Sequence, residues 1–376
     1  MSVVIKRVTR RRELKAFINF PGILYRNCEY YVPKLYFDQV NTLSPDRNPA
    51  SKFCESALFL AYKDGALVGR VAAIVNRRAN EQWNHQEVRF GWLDFVDDRE
   101  VSQALIQQVE EFGRQRGMNK IVGPLGFTDF DPEGMLVEGF DSPSTMALNY
   151  NYPYYPEHIE ALGFKKDVDW VEYRGRVPDE CPDRITRLSK IVGERAGVHK
   201  ANISRRDAAK PEVCHELFHL INECYKDLYD FTVLPDSMAD KYMGLYLKVV
   251  DPKYTSFLRN EKGEMVAFGI AMPSIVGVLQ KTKGKLFPFG WLRLLWTLFI
   301  KPAEGVEMLL VGVRPDYQNT GINSIIFAGI LGEYIKNKVK WGETNAILET
   351  NLKNQGQFRD YEHLIERRRR AFTKSL

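Results

Sequence analysis

The sequence has few cysteines and no strong excess of charge, and each of these features excludes a class of protein. The five cysteines include no Cys-x-x-Cys pair: Cys28, Cys54, Cys181, Cys214 and Cys224. Neither a disulfide scaffold nor a zinc-binding knuckle is therefore expected. The formal net charge is only +5, whereas a nucleic-acid-binding protein carries a dense basic stripe. The sequence thus predicts no metal centre and no nucleic-acid partner.

Long hydrophobic runs are also missing. The longest apolar stretch, residues 286–300, is interrupted by Pro288, Gly290 and Arg293, whereas a membrane span needs about 20 apolar residues. The basic N-terminal residues are not followed by the apolar segment that a signal peptide has. Together with cysteines suited to a reducing compartment, these features predict a cytoplasmic protein.

The chain as a whole is expected to fold into about two domains, since it has 376 residues, 44% of them hydrophobic and 27% charged. Its halves show no short repeat, yet they follow one order of elements. In the first half this order is a strand at 3–8, a helix from Glu13, a hairpin turning at Asp64-Gly65, a strand at 88–96 and a helix at 99–116. An Asp-Gly pair between two apolar runs is among the stronger hairpin signals.

The second half repeats this order after a connector at 177–200. Its predicted elements are a strand at 201–204, a helix from Pro211, a hairpin turning at Lys262-Gly263, a strand at 307–313, a helix at 322–338, a strand at 346–350, a helix at 355–364 and a strand at 369–373. The shared order predicts an α/β (α+β) fold of two tandem domains, 1–176 and 201–376, each with a mixed β-sheet flanked by helices. An apolar insertion at 280–301 interrupts the second domain.

The segment from Glu307 to Ser324 carries the strongest chemical signal. A predicted strand ends at Val313, a tight polar loop follows, and a helix begins at once. Successive backbone N–H groups in such a loop, with the positive end of a helix behind them, form an anion site. Gly321 would let the backbone approach a pyrophosphate closely. The alternative is an ordinary strand-to-helix turn that needs a glycine.

Gln318-x-x-Gly321, placed after this strand, resembles the acyl-CoA-binding signature of the GNAT superfamily, the Gcn5-related N-acetyltransferases. Asn354 and Tyr361 stand seven positions apart after the next predicted strand, as is common in that family. In the first half, Tyr155 leads into a Leu-Gly-Phe sequence and an aromatic strand, a closing pattern of the same fold. The resemblance covers nearly the whole chain as two GNAT-like domains in tandem, and it implies that the central strands of each sheet splay apart.

The resemblance also implies where a co-substrate would bind. Acetyl-CoA or another acyl-CoA would lie along the strand at 307–313, where a backbone N–H near Val311 or Val313 would polarise the acyl carbonyl. An amine would attack the thioester directly, without an acyl-enzyme. The candidate cofactor-binding residues are Val311, Val313, Gln318, Asn319, Thr320, Gly321, Ile322, Asn323 and Asn354.

Two residues are candidates for proton transfer. Tyr361 matches the position whose phenol often protonates the leaving thiolate, and its alternative role is packing. Glu307 is a candidate general base, since alternation along the strand places it on one face with Leu309, Val311 and Val313; its alternative is a surface position. Arg314 and the arginines at 367–370 are candidates for contacts with CoA phosphates, although we expect the run at 367–370 to be a solvated strand edge.

The sequence departs from the GNAT pattern in two places. Asn323 stands where the family prefers Gly or Ala, which favours a wider loop or weaker CoA binding. In the first half, Asp97 and Asp98 run straight into a helix, and carboxylates at that place would repel a pyrophosphate. The first domain is therefore predicted to lack a CoA site, and the second domain is the candidate catalytic unit.

A further motif resembles a zinc site. His215, Glu216 and His219 fit the HExxH pattern, in which two histidines one helical turn apart bind zinc beside a catalytic glutamate. The residues that follow lack the glycine and third histidine of the extended form. Because the motif falls on the predicted first helix of the second domain, we expect an ordinary helix there.

The apolar insertion at 280–301 is open to three interpretations. It contains Trp291 and Trp296 and is flanked by lysines. The segment could pack between the domains, or it could form a lid over an apolar acceptor. It could also make a weak membrane-surface or protein contact through residues 286–300.

The leading hypothesis is an acyl-CoA-dependent N-acyltransferase that transfers an acyl group, most simply acetyl, to a small-molecule amine. A lid would make that amine larger and more apolar than a simple polyamine. One alternative is a catalytically inactive tandem GNAT-fold module that binds a ligand or partner. The other is a Fem-like aminoacyl transferase, against which the small net charge and the lack of a long heptad run argue.

Overall fold

The computed structural model describes residues 2–208, 210–239, 251–356 and 363–376. Its strands are β1 Val4–Arg7, β2 Cys54–Lys63, β3 Ala66–Asn76, β4 Glu87–Phe95, β5 Lys120–Gly123, β6 Met135–Glu138, β7 Lys165–Arg176, β8 Val198–Lys200, β9 Thr255–Asn260, β10 Met265–Pro273, β11 Gly305–Val313, β12 Trp341–Thr344, β13 Ile347–Leu348 and β14 His363–Ser375. Its α-helices are α1 Arg11–Leu24, α2 Tyr36–Leu43, α3 Arg77–Trp83, α4 Arg99–Arg114, α5 Tyr154–Ala161, α6 Asp183–Ala196, α7 Arg205–Ala208, α8 Pro211–Tyr225, α9 Val276–Thr282, α10 Gly290–Phe299, α11 Asn323–Lys336 and α12 Leu352–Gln355.

The described strands form one continuous mixed sheet that reads as two mirrored halves. Its order is β1-β2-β3-β4-β5-β14-β7-β12-β11-β10-β9-β8, with β6 beside β14 and β13 beside β7. In each half three antiparallel pairs lead to one parallel pair, β4 with β5 and β11 with β12. The predicted α/β (α+β) class with a repeated order of elements is confirmed.

The two halves exchange strands at the centre of this sheet. Strand β14, from the end of the chain, pairs with β5 and β7 of the first half, while β7 pairs with β12 of the second. The proposed division into residues 1–176 and 201–376 stays a prediction, since the sheet runs through both segments without interruption.

The run of four arginines on β14 does not form the solvated edge that we expected. Arg367 and Arg369 are fully buried, and their Nε atoms donate to the two carboxylate oxygens of Glu172 on β7, at 2.8 and 2.6 Å. Arg367 also pairs with Glu343, and Arg370 pairs with Asp169 at 2.8 Å. The expectation of a solvated edge was wrong because the partner carboxylates lie far away in the sequence, and the fully buried Arg367 and Arg369 are not available to a CoA phosphate.

Predictions based on local signals were mostly correct. Asp64 and Gly65 both have positive φ, 53° and 79°, as a two-residue turn that matches the strand twist requires. The hairpin β9–β10 closes through Gly263, whose φ is 80°. The helices predicted at 99–116 and 322–338 are α4 and α11.

Three boundaries differ from the predictions. The strand expected at 201–204 is β8, which begins directly after Gly197 ends α6 in the left-handed conformation. The strand expected at 346–350 is only the two-residue β13, and β12, which precedes it and pairs with β11, was missed because its sequence is mostly polar. The helix expected at 355–364 is instead the short α12, with residues 357–362 outside the described ranges and β14 present from His363.

Candidate functional site

The predicted splay lies between β11 and β12. The two strands pair only from Gly305 opposite Trp341 to Met308 opposite Thr344. Beyond Met308 the two strands separate, and β11 continues to Val313 paired only with β10 on its other side. A gap therefore opens along the β11 edge, where the GNAT resemblance placed a thioester.

A β-bulge at Leu309 sets which side chains face which side of the sheet. Ile270 pairs with Leu310 and Ala271 with Met308, which leaves Leu309 as the extra residue. After the bulge, Val311 and Val313 pack on the α11 side, whereas Leu309 packs with α10 on the opposite side. The prediction that Glu307 shares a face with Val311 and Val313 is wrong, because a bulge shifts the alternation by one residue.

The loop after β11 has the form of an anion site. It turns through the short 3-10 helix Pro315–Tyr317, positive φ at Asn319 (64°) and Gly321 (88°), and Ile322 at the N-cap of α11. In the described residues, no protein acceptor is bound by the backbone N–H groups of Asn319, Thr320, Gly321, Ile322 and Asn323. Free amides at the positive end of a helix attract phosphate.

Gly321 has both a conformational and a steric reason to be glycine. Its φ of 88° is one that side chains rarely adopt, and a Cβ there would lie 3.3 Å from Val192 on α6. The connector helix α6 thus packs directly behind the loop. By contrast, Arg314 is held at the rim by Asp316 at 2.8 Å and Glu264 at 3.3 Å.

Tyr225 is a residue of the site that the sequence analysis missed. Its hydroxyl enters the β11 gap, donates to the Val311 carbonyl at 2.9 Å and accepts from the Val311 N–H at 3.2 Å. Burial raises the pKa of this phenol, so it stays protonated near neutral pH. The N–H that the GNAT resemblance assigned to an acyl carbonyl therefore has the Tyr225 hydroxyl as its partner.

The Val313 carbonyl, two residues on, accepts from the Gln318 side chain at 3.2 Å. Because strand backbone groups repeat their direction every second residue, the N–H of Val313 faces the same gap as that of Val311. Gln318 thus ties the loop to the β11 edge instead of pointing away from it.

Glu307 is buried at the seam between the two halves, not at the surface. It is 1% exposed and accepts from the Ser274 hydroxyl at 2.6 Å and from the Met146 N–H at 2.8 Å. Burial raises the pKa of Glu307, although these two hydrogen bonds oppose the shift. A carboxylate whose pKa is raised is a stronger base than an ordinary one, as a general base requires.

Lys34, from the first half, lies in the electrostatic field of Glu307. Its Nζ donates to the carbonyls of Met146 at 2.8 Å and Leu148 at 2.7 Å. Burial and the charge of Arg369 lower the pKa of Lys34 to about 7, while Glu307 opposes that shift. The loop that carries Met146 therefore links the carboxyl of Glu307, whose pKa is raised by burial, to the ammonium of Lys34, whose pKa is lowered by burial.

The remaining sequence candidates are only partly placed. Asn354 lies on α12, and its backbone N–H donates to the Asn351 side chain at 3.1 Å. Tyr361 falls outside the described residues.

The closed end of the splay adjoins an apolar cleft of about 640 Å³, a volume that includes solvent at its mouth. Met308 and Thr344, the last paired residues, line it together with Val306, Ile330 and Leu331. This cleft therefore lies beside the point where the two strands begin to separate.

The first half has a comparable gap without a comparable loop. Strands β4 and β5 pair only from Glu87 to Arg89, and the gap opens into a cleft of about 460 Å³, solvent at its mouth included, beside Asp94 and Tyr155. At the start of α4, Asp98 accepts from the Glu100 N–H at 2.9 Å. A carboxylate already occupies the helix end where a pyrophosphate would bind.

Two residues of the HExxH motif, Glu216 and His219, lie close to charged side chains of the protein. Glu216 pairs with Arg259 at 2.5 Å and accepts from the Met265 N–H at 2.8 Å, and His219 lies 3.6 Å from Asp236.

One other group has ligand-like spacing among the described residues. Ligand atoms of His85, Glu87 and Asp230 lie within 4.8 Å of one another. Two of its carboxylates, however, already pair with cations, Glu87 with Lys120 at 2.8 Å and Asp230 with Arg89 at 2.9 Å. The group is accounted for as a cluster of ion pairs.

Comparison with known proteins agrees with this architecture. No protein-family model matches the chain. It is 28% identical over 353 residues to Protein YghO of Escherichia coli K12, covering 93% of this chain and 89% of that protein. It is 27% identical over 311 residues to a protein of Caulobacter vibrioides named bacterial ceramide synthase, covering 82% of this chain and 79% of that protein.

Among solved structures, the chain superposes over its full length on a tandem GNAT protein from the clavulanic acid biosynthesis pathway. The TM-score is 0.56 and the identity 12%, with 98% of that chain covered. A GNAT glucosamine N-acetyltransferase region of a fungal β-N-acetylglucosaminidase gives a TM-score of 0.56 at 14% identity, covering 99% of this chain and 38% of that one. The fold is therefore that of a tandem GNAT protein, the fold that the sequence resemblance predicted.

Proposed function

We propose that the protein is an acyl-CoA-dependent N-acyltransferase whose acyl-CoA lies in the β11–β12 gap. The observation that carries the proposal is the loop Gln318–Asn323, whose five free amides stand at the start of α11 beside the open β11 edge. A pyrophosphate on those amides would place the pantetheine arm along Val311 and Val313.

The chemistry needs no covalent intermediate on the protein. The amine nitrogen attacks the thioester carbon, the C–S bond breaks, and an amide and a free thiol are formed. Glu307, directly or through a water, would take the proton that the amine loses, and the Val311 or Val313 N–H would stabilise the carbonyl oxygen as it gains charge. The thiolate takes up a proton as it leaves, a role for which Tyr361 remains the candidate.

For the acceptor we propose an amine attached to a long apolar chain. A ceramide is the amide of a long-chain amine and a fatty acid, so the activity named for the Caulobacter vibrioides relative is itself an N-acyl transfer. In this chain, the side of the sheet that bears Glu307 and Leu309 is covered by the apolar α10. The apolar cleft beside Met308 suits an acyl group longer than acetyl.

The first experiment is a calorimetric titration of the protein with CoA, acetyl-CoA and a long-chain acyl-CoA. We expect one site per chain and loss of binding in Gly321→Val, because valine at φ 88° would force the loop out of shape. Gly332→Val is the matched control, since Gly332 lies on α11 with open space around its Cβ position.

Turnover is then measured with a long-chain amine, and Glu307→Gln should lower kcat by about 100-fold or more while acyl-CoA binding persists.

A specific observation favours a rival function. The Val311 N–H already donates to the Tyr225 hydroxyl. This N–H would then not be available to polarise an acyl carbonyl, which is what we expect of a module that binds a ligand without catalysing a reaction. A folded protein that binds none of the CoA species up to millimolar concentration would overturn the acyltransferase and leave the binding module.

A further inference from the structure

The outer face of the insertion at 280–301 is an exposed apolar surface that the candidate site does not account for. Among the described residues, exposed large hydrophobic side chains concentrate here, and the exposed fractions of Phe287, Phe289, Ile300 and Trp296 are 83, 70, 61 and 57%. Elsewhere such residues are scattered, as Ile23 and Leu352 are. A contiguous apolar patch on a protein surface marks an interaction site. We call residues 281–301 the apolar segment.

The exposure of the apolar segment is built into the fold. Its inner face packs through Leu298 and Leu294 against Val32 of the first half and Met272 of β10. The main chain is also held, because Gly284 accepts from the Tyr36 N–H at 2.9 Å. The expected packing between the halves is thus present, and the outer face is held in the solvent by it.

The charge around the outer face distinguishes between the partners that could bind it. Residues 265–303 contain no Asp or Glu, and five exposed basic residues surround the apolar patch: Lys281, Lys283, Lys285, Arg293 and Lys301. In the described part of the chain, none of the five makes an ion pair. A second copy packed face to face would bring two such sets together and be repelled. The five charges favour an anionic partner over a cationic or neutral one.

From these observations we infer that the apolar segment docks the protein on the surface of an anionic lipid bilayer. Tryptophan and phenylalanine with flanking lysines are the side chains that settle at a bilayer interface, the rings among the acyl chains and the ammonium groups among the phosphates. Helix α10 has ten residues, which is too short to span a bilayer. No described helix of the protein is long and apolar enough to do so.

Docking would also place the candidate site close to the lipid. Leu309, the bulge residue of β11, packs in the same cluster as Leu294 and Leu298 on the inner face of α10. The docking inference stands on the surface alone and does not depend on acyl transfer.

The test is flotation of the full chain with vesicles of phosphatidylcholine, either pure or mixed with an equal amount of phosphatidylglycerol. We expect binding to the mixed vesicles that weakens with salt. Lys281→Gln/Lys283→Gln/Lys285→Gln should lower the partition coefficient about 100-fold, since each basic residue near an anionic surface contributes about 1 kcal/mol.

The apolar contribution is tested with Phe287→Ser/Phe289→Ser/Trp296→Ser, which should also abolish flotation. Ile23→Ser/Leu352→Ser is the control, because it removes side chains that are 58 and 70% exposed on other surfaces. Sedimentation velocity is run in parallel. Failure to float with mixed vesicles, or flotation that none of the variants changes, would overturn the inference, and so would a dimer that the Phe287 variant dissociates.

Discussion

The buried ion cluster between the two halves gives a prediction whose size can be worked out from the structure. Glu172, Arg367 and Arg369 are all fully buried, and both oxygens of Glu172 accept from guanidinium groups at 2.8 and 2.6 Å. Burial alone would raise the pKa of Glu172, but the two arginines hold it below its usual value. Glu172→Gln keeps the shape but removes the carboxylate that Arg369 pairs with, and it leaves Arg367 with Glu343 and, at 3.9 Å, Glu366.

Removing one member of a buried ion cluster costs about 3–5 kcal/mol, a large part of the 5–15 kcal/mol that usually separates folded from unfolded protein. We expect Glu172→Gln to lose that amount in urea unfolding at pH 7. The loss should be constant at higher pH and shrink only below about pH 4.5, where the carboxyl becomes protonated in the unfolded chain while it is still ionised in the folded one.

Glu138→Gln is the control, because Glu138 pairs with Arg368 at 3.3 Å while its side chain is 64% exposed. An exposed pair of this kind contributes about 0–1 kcal/mol. If Glu172→Gln costs no more than Glu138→Gln, the cluster does not stabilise the seam and the reasoning fails.

Two further predictions concern the site. Tyr225→Phe frees the Val311 N–H and should tighten acyl-CoA binding about fivefold by calorimetry, since a hydroxyl that must be displaced costs about 1 kcal/mol; weaker binding would contradict displacement. The unfolding free energy of the wild type relative to Lys34→Met should rise from pH 7 to pH 10, because the unfolded chain keeps a proton that the folded lysine, with its pKa of about 7, gives up. Lys253→Met, at an exposed position, should give no such rise in the same urea titrations, and a flat difference for Lys34 would refute its low pKa.

Much of the fold was predictable because the signals are local. The Asp64-Gly65 turn, the apolar stripe of α4 and the strand-loop-helix at Gln318–Asn323 each depend on residues within a few positions of one another. The repeated order of elements reinforced each reading, because an ambiguous segment in one half has a counterpart in the other.

The errors come from interactions between distant segments. Four consecutive arginines predict a solvent-exposed strand. Their burial could be foreseen only if Glu172, which is 195 residues from Arg367 in the sequence, were known to lie beside them. The bulge at Leu309 has no mark in the sequence, yet it moves Glu307 to the face opposite Val311. Tyr225 had a signal that was not used, since the first helix of each half meets a tyrosine at its end, Tyr25 and Tyr225.

The exchange of strands explains how a half without its own pyrophosphate loop can still be needed for chemistry. The candidate base Glu307 lies on β11, but one of its two hydrogen bonds comes from Met146 in the first half. The loop around Met146 is in turn fixed by Arg367, which donates to the Pro143 carbonyl at 2.6 Å from β14 of the second half. The first half therefore positions Glu307 of the second half, and the second half positions the loop of the first half that does so. A chain cut at the connector would lose the partner of Glu307 together with the strand that positions that partner, so we expect neither half alone to support acyl transfer even where the CoA loop remains intact.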